Sequence, residues 1–321
     1  NEQYKTLLYT LPFGLKSKGV EAIQDEIEEA LNKKIEIDYD GLLKIKVYKN
    51  NLPKKWKYTD DLIRYGTWEI PIGKNHEGIL YHDFDKYPHI LVGGVTRFGK
   101  TVFLKQMLYT LLNNQPNNLN VYILDLKGGL EFNKYFDLPQ VKALATNVFE
   151  AEKVLEHITN EIKEQQQVFK RNGYTNIVDT PIKSRTFVIV DEGAELAPNY
   201  VKDGKKEAGN CQTYLSNIAR IGGGLGYRLV YCTQYPTSKS VDMSIKMNIV
   251  ARLSFIAASQ VASKVILDET GAEELPSIPG RAIYKIEKQR EIQVPYFNDE
   301  HLFKNVGNER SELPKESDKL S

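Results

Sequence analysis

The stretch 88–104, PHILVGGVTRFGKTVFL, constrains the fold more than any other part of the chain. An apolar run, Ile90-Leu91-Val92, ends in Gly93-Gly94, and an apolar helical start follows Gly99-Lys100-Thr101. Gly94, Gly99, Lys100 and Thr101 satisfy the pattern G-x-x-x-x-G-K-[ST], set after a strand and before a helix as a phosphate-binding loop requires. Glycines let the backbone curl so that successive N–H groups face a phosphate, and the helix N-terminus adds partial positive charge. The expected nucleotide contacts are Gly94, Val95, Thr96, Arg97, Phe98, Gly99, Lys100, Thr101 and Val102. Lys100 is expected to reach the β- and γ-phosphates of ATP, and the Thr101 hydroxyl to hold Mg²⁺.

The chain has 321 residues, enough for one large α/β domain and a smaller companion. Its net charge of +1 excludes a nucleic-acid binder that is basic throughout, but not one with a basic face balanced by an acidic one. Cys211 and Cys232 lack metal or redox spacing and read as buried free thiols in a reducing cytosol. No apolar run has the length of a membrane span. The chain starts at Asn1, so the expectation is a cytoplasmic motor with room for a membrane tether in a segment upstream.

Taken in order, residues 1–66 read as a small α/β unit: a strand, a helix with Val20, Ile23, Ile27 and Leu31 on one face, and a hairpin turning at Asp40-Gly41. Residues 67–303 carry the phosphate loop, apolar strands at 121–124, 186–190, 229–232 and 250–255, and intervening helices. Such runs between helices predict a mainly parallel sheet covered on both faces. Residues 304–321 are polar and read as a disordered tail.

The strand 186–190 ends in Asp191-Glu192. Asp191 is expected to bind Mg²⁺, and Glu192 to take the proton from the attacking water. Thr233-Gln234 ends a neighbouring strand, where Gln234 can sense the γ-phosphate.

The segments PHILVGGVTRFGKT, TFVIVDEGAEL, LVYCTQYP and VARLSF…ASKVILDETGAEELPSIPGRAIY resemble the FtsK/SpoIIIE family of DNA translocases. Residues 10–52 also resemble the small domain that precedes that family's motor. Within the family, FtsK-like coupling proteins of Gram-positive conjugative elements are the nearest match. The resemblance implies a RecA-like core, a homo-hexameric ring, and ATP- and Mg²⁺-dependent movement on double-stranded DNA. A conjugative role would add a relaxase and a membrane channel as partners. The sequence departs from the family at Tyr235, where arginine is common after the glutamine, and at Arg97-Phe98 and Gly223. No winged-helix domain follows the motor, which weakens a chromosome-segregation role.

A ring ATPase needs a cation from the neighbouring subunit at the transferring phosphoryl group. Arg252, which matches an arginine in the family's equivalent strand, is the first candidate, with Arg220 and Arg281 as alternatives. For gripping DNA phosphates the candidates are Lys202, Lys205 and Lys206 on one loop after the Asp191-Glu192 strand, and Lys239 and Lys246 after the Thr233-Gln234 strand. Two further readings stand beside DNA translocation. One is a ring ATPase moving protein, like the type VII secretion ATPases; the other is a P-loop switch that moves nothing.

Overall fold

The computed structural model describes residues 3–299 apart from 235, 238 and 239. The tail at 304–321 and Lys239 therefore lie outside the described residues. The first unit comprises β1 (Tyr4–Tyr9), α1 (Ser17–Glu21), α2 (Gln24–Leu31), β2 (Ile35–Asp40) and β3 (Leu42–Tyr48), with the strands antiparallel in the order β1-β3-β2. The continuous helix face expected from Val20 to Leu31 is interrupted between α1 and α2. Val20 and Ile27 pack over Ile35, Leu43 and Ile45, while Ile23, in the break, and Leu31 stay exposed.

The rest of the chain builds one sheet of ten strands. Its elements are β4 (Glu69–Lys74), β5 (Ile79–Asp83), β6 (Ile90–Gly93), α3 (Lys100–Asn114), β7 (Leu119–Leu124), β8 (Val141–Ala145), α4 (Val148–Asn172), β9 (Arg185–Val190), α5 (Lys205–Asn217), β10 (Tyr227–Thr233), α6 (Met243–Lys246), β11 (Ala251–Phe255), α7 (Gln260–Leu267), β12 (Arg281–Lys285) and β13 (Gln289–Gln293). The order is β5-β4-β13-β12-β11-β6-β10-β9-β7-β8. From β11 to β8 the strands run parallel; β12, β13, β4 and β5 extend the sheet antiparallel. The late strand expected at 281–287 forms as β12, and a further strand, β13, pairs antiparallel beside it.

The middle stretches of the central parallel strands, Ile90–Val92, Phe187–Val190 and Leu229–Cys232, are apolar throughout because both of their faces are covered. Ile90, Val92, Ile189 and Val230 face α3, where Phe103, Leu104 and Met107 meet them. Leu91, Val188, Val190, Leu229 and Tyr231 face the other way, toward Leu155, Ile158 and Ile162 of α4 and Leu215 of α5. Cys211 and Cys232 are buried thiols. Tyr58, Leu62 and Ile63, which the sequence reading assigns to the small unit, pack into the α3 layer of the large sheet. Among the described residues no helix is long and apolar enough to cross a membrane.

Candidate nucleotide site

Parallel topology brings the ends of β6, β10, β9 and β7 to one edge, where open α/β sheets bind ligands. Gly94 and Gly99 adopt φ of 134° and 121°, values that side chains rarely tolerate. A Cβ on Gly94 would also lie 2.7 Å from the Phe255 side chain. Arg97 holds φ of 70° without being glycine, so the loop stores some backbone strain. Two hydrogen bonds fix the loop: Val95 N–H donates to the Ile256 carbonyl (3.0 Å), and Gly280 N–H donates to the Phe98 carbonyl (2.9 Å). The Val95 amide is thus already engaged, although the residue lines the cavity. The α3 helix begins at Lys100, so its first N–H groups open onto that cavity.

The charges around this edge are buried and incompletely partnered. Lys100 is 4% exposed, its Nζ has no hydrogen-bond partner among the described residues, and burial lowers its pKa to about 8. Asp191 is 1% exposed, its Oδ1 is likewise unpartnered, and burial raises its pKa to about 6. Glu192 is held on both oxygens. Its Oε1 accepts from Thr233 Oγ1 (2.9 Å), both oxygens lie 3.0 Å from the Gln234 N–H, and Oε2 faces Lys127 Nζ at 3.4 Å and Lys100 Nζ at 3.9 Å. Gln234 therefore reaches the expected base through its backbone, while the residue also lines the cavity with the phosphate loop.

A buried ammonium and a buried carboxylate oxygen, both without hydrogen-bond partners among the described residues, suit a phosphate and a divalent cation at one strand edge. Thr101 and Asp191 fit Mg²⁺ in this sense: a phosphate-bound Mg²⁺ takes few protein ligands. Among the described residues no group of three His, Cys, Asp or Glu forms a closed metal site.

Sequence reasoning missed two residues here. Asp125 is fully buried, and its Oδ2 accepts the Glu131 and Phe132 N–H groups, shaping the turn after β7. That turn carries Lys127 to Glu192. The available signal was position: Asp125 to Gly129 end a strand adjacent to β9, at the same edge as Asp191.

Two of the expected cations are engaged within the chain. Arg252 is 8% exposed, donates to the Ile266 carbonyl (2.8 Å) and the Lys246 carbonyl (3.1 Å), and pairs with Asp268 at 3.0 Å. Its guanidinium is engaged inside its own subunit. Lys246 is similarly bound to Asp268 (2.7 Å) and the Lys264 carbonyl. Arg281 is buried against Glu291 and Gln293, whereas Arg220 is exposed and donates to Asn217. Lys202, Lys205 and Lys206 are all exposed, but only Lys202 lies on a loop; Lys205 and Lys206 open α5.

Residues 59–186 match the FtsK/SpoIIIE family model. The chain contains an FtsK/SpoIIIE domain. The chain is 28% identical over 259 residues to a DNA translocase FtsK of Clostridium acetobutylicum, covering 75% of the chain and 32% of that protein. It is 31% identical over 218 residues to a DNA translocase FtsK of Campylobacter jejuni, covering 64% of the chain and 22% of the relative. The chain thus spans a third or less of these relatives. Among solved structures, the monomer form of the pCW3 conjugation coupling protein TcpA with ATPγS aligns at a TM-score of 0.75 and 25% identity, over 96% of this chain and 90% of that one. The cytoplasmic domain of the Thermomonospora curvata type VII secretion ATPase EccC shares the fold, at a TM-score of 0.62 and 23% identity, over 77% and 30% of the two chains. The architecture is that of the P-loop ATPases.

Proposed function

We propose that the chain hydrolyses ATP to move double-stranded DNA, working as a homo-hexameric ring that couples DNA to a conjugative transfer channel. The observation that supports this most directly is the likeness to TcpA along nearly the whole of both chains, on a fold whose strand edge gathers Lys100, Asp191 and Glu192. In this reading Lys100 meets the β- and γ-phosphates, and Thr101 and Asp191 hold Mg²⁺, which supplies charge neutralisation when bound. Glu192 accepts the proton of the attacking water. Its oxygens are fixed by Thr233 and the Gln234 N–H, so a shift of that strand end moves the base. Once Lys100 turns to phosphate, Lys127 remains as the cation beside Glu192. With Arg252 consumed, Arg220 becomes the candidate to act across a subunit boundary. A relaxase and a membrane tether belong to the same proposal.

Lys202, Lys205 and Lys206, repeated around a ring, make a positive collar for DNA phosphates although each chain carries only +1. The likeness to EccC supports a second reading, in which the ring moves protein. One experiment separates the two: ATPase rate with duplex DNA or with a secretion-signal peptide, for the parent and the triple Lys→Ala variant. Stimulation by duplex that the triple variant loses, with basal hydrolysis kept, is expected. The lost phosphate contacts should also flatten the salt dependence of binding, by about 0.9 per contact in log K against log salt. Stimulation by peptide alone would replace the DNA reading.

A further inference from the structure

We propose that Tyr296, held in place by the linker between the two sheets, is the platform on which the base of the nucleotide stacks. This rests on the ATP reading above and extends it to the far end of the same cavity. That cavity, of about 420 Å³, is lined by Lys100 and Thr101 together with Pro279-Gly280 and Val294-Pro295-Tyr296. A neighbouring hollow shares Val95, Thr96 and Gln234 with it but touches neither Lys100 nor Thr101. A nucleotide with phosphates at Lys100 and Thr101 therefore extends its base toward Tyr296.

The wall there is apolar and rigid. Gly280 N–H donates to Phe98 of the phosphate loop, Val294 N–H donates to the Gly280 carbonyl (2.8 Å), and Gln293 Nε2 donates to the Pro279 carbonyl (2.9 Å). Tyr296 is half exposed, so its ring has area to offer a flat ligand. Its backbone is stitched to the linker on both sides: its N–H donates to the Trp56 carbonyl (2.6 Å) and its carbonyl accepts the Tyr58 N–H (2.9 Å). Lys55 Nζ lies 5.6 Å from the ring centroid, and Arg281, next to Gly280, donates to the Pro53 carbonyl at 3.1 Å. The linker that leads from the small sheet thus backs the base wall, and an occupied base subsite tightens it.

The test is calorimetric titration of the whole chain with ATP and, separately, with inorganic tripolyphosphate, both with Mg²⁺. Tyr296→Ala should weaken ATP by about tenfold or more, the usual loss when a stacking ring is removed from a base. It should leave tripolyphosphate affinity unchanged, and Tyr296→Phe should bind ATP like the parent. Amide exchange at Tyr58 and Tyr296 should slow with ATP and not with tripolyphosphate. Unchanged ATP affinity in Tyr296→Ala, or an equal loss for both ligands, overturns the platform. Unchanged linker exchange with ATP overturns the linker's part in it. A parent that binds neither ligand would instead sink the ATP reading, and the platform with it.

Discussion

Two buried charge clusters sit at opposite ends of the same strands, β9 and β10, and they are built on opposite principles. At the N-terminal ends, Arg185 and Arg228 converge on Asp85. Asp85 accepts from Arg185 Nε (2.8 Å) and Nη2 (3.1 Å) and from Arg228 Nη2 (2.7 Å). Arg228 gives its remaining Nη1 to the Gly223 and Tyr227 carbonyls, and only its Nε lacks a partner. At the C-terminal ends, Lys100 Nζ and one oxygen each of Asp125 and Asp191 are buried without hydrogen-bond partners among the described residues, and Glu192 Oε2 stands 3.9 Å from Lys100 Nζ. A buried charge without a partner is costly and persists only where something else uses it. The first cluster closes on itself and holds strands together. The second is left open, and in the proposed function an ATP phosphate with its cation closes it.

The largest effects should come from the open cluster. Lys100→Ala abolishes hydrolysis, because the phosphate site loses its buried cation. Glu192→Gln retains ATP binding but slows turnover about 10²–10⁴-fold, the range expected for a lost general base. Normal turnover in Glu192→Gln would move the base elsewhere. Next comes the closed cluster. Asp85→Ala leaves two buried guanidiniums without their carboxylate and should cost about 3–5 kcal/mol. Its melting temperature should fall on the order of 10 °C, with turnover near the parent's when measured well below it. If Asp85→Ala lost activity before it lost stability, the two clusters would not be separable.

The contrast also explains what was readable in the sequence. Glycine spacing and strand-end carboxylates are local signals, so Gly94 to Thr101 and Asp191-Glu192 stood out, as did the apolar parallel strands. The Arg252 contacts could not be read in advance, because a strand arginine looks the same whether it faces a neighbouring subunit or folds back onto Asp268, sixteen residues further along. Lys127 went unread because its meeting with Glu192 depends on β7 pairing beside β9. The break between α1 and α2 and the pairing of β13 beside β12 are likewise tertiary outcomes, invisible to periodicity.

Lys127 offers a smaller and sharper test. Its ammonium is partly exposed, so solvent screens the pair with Glu192 and reduces its worth. Lys127→Ala should lower kcat by about tenfold, toward the lower end for a hydrogen bond to a charged group, with ATP affinity kept and Lys127→Arg recovering most of the rate. A loss of affinity with kcat unchanged would mean that Lys127 serves the phosphates rather than the base.

The smallest effect has an unexpected sign. Burial holds the folded Asp191 carboxyl at about 6, above its ordinary 3.8. A raised carboxyl pKa means that the folded state keeps its proton while the unfolded chain loses it. Stability should therefore fall as pH rises from about 4 to 6, and the penalty should be complete above 6. Asp85 behaves oppositely. Desolvation pushes its pKa up, but the hydrogen bonds from Arg185 and Arg228 outweigh that and hold it below 3.8. Its contribution is present above about 4 and is lost as pH falls further. Asp191→Asn should then stabilise the nucleotide-free protein at neutral pH, on the order of 1 kcal/mol. That is less than the full penalty of about 1.4 kcal/mol for each pH unit of displacement, because Lys100 loses a nearby anion. The measurement is the melting temperature across pH 4 to 8 without nucleotide or Mg²⁺. A rise for Asp191→Asn, with a flatter profile between pH 4 and 6, would show that the open cluster costs the empty protein stability. A fall at every pH would mean that the Asp191 carboxylate is as well satisfied as Asp85, and the distinction between the two clusters would fail.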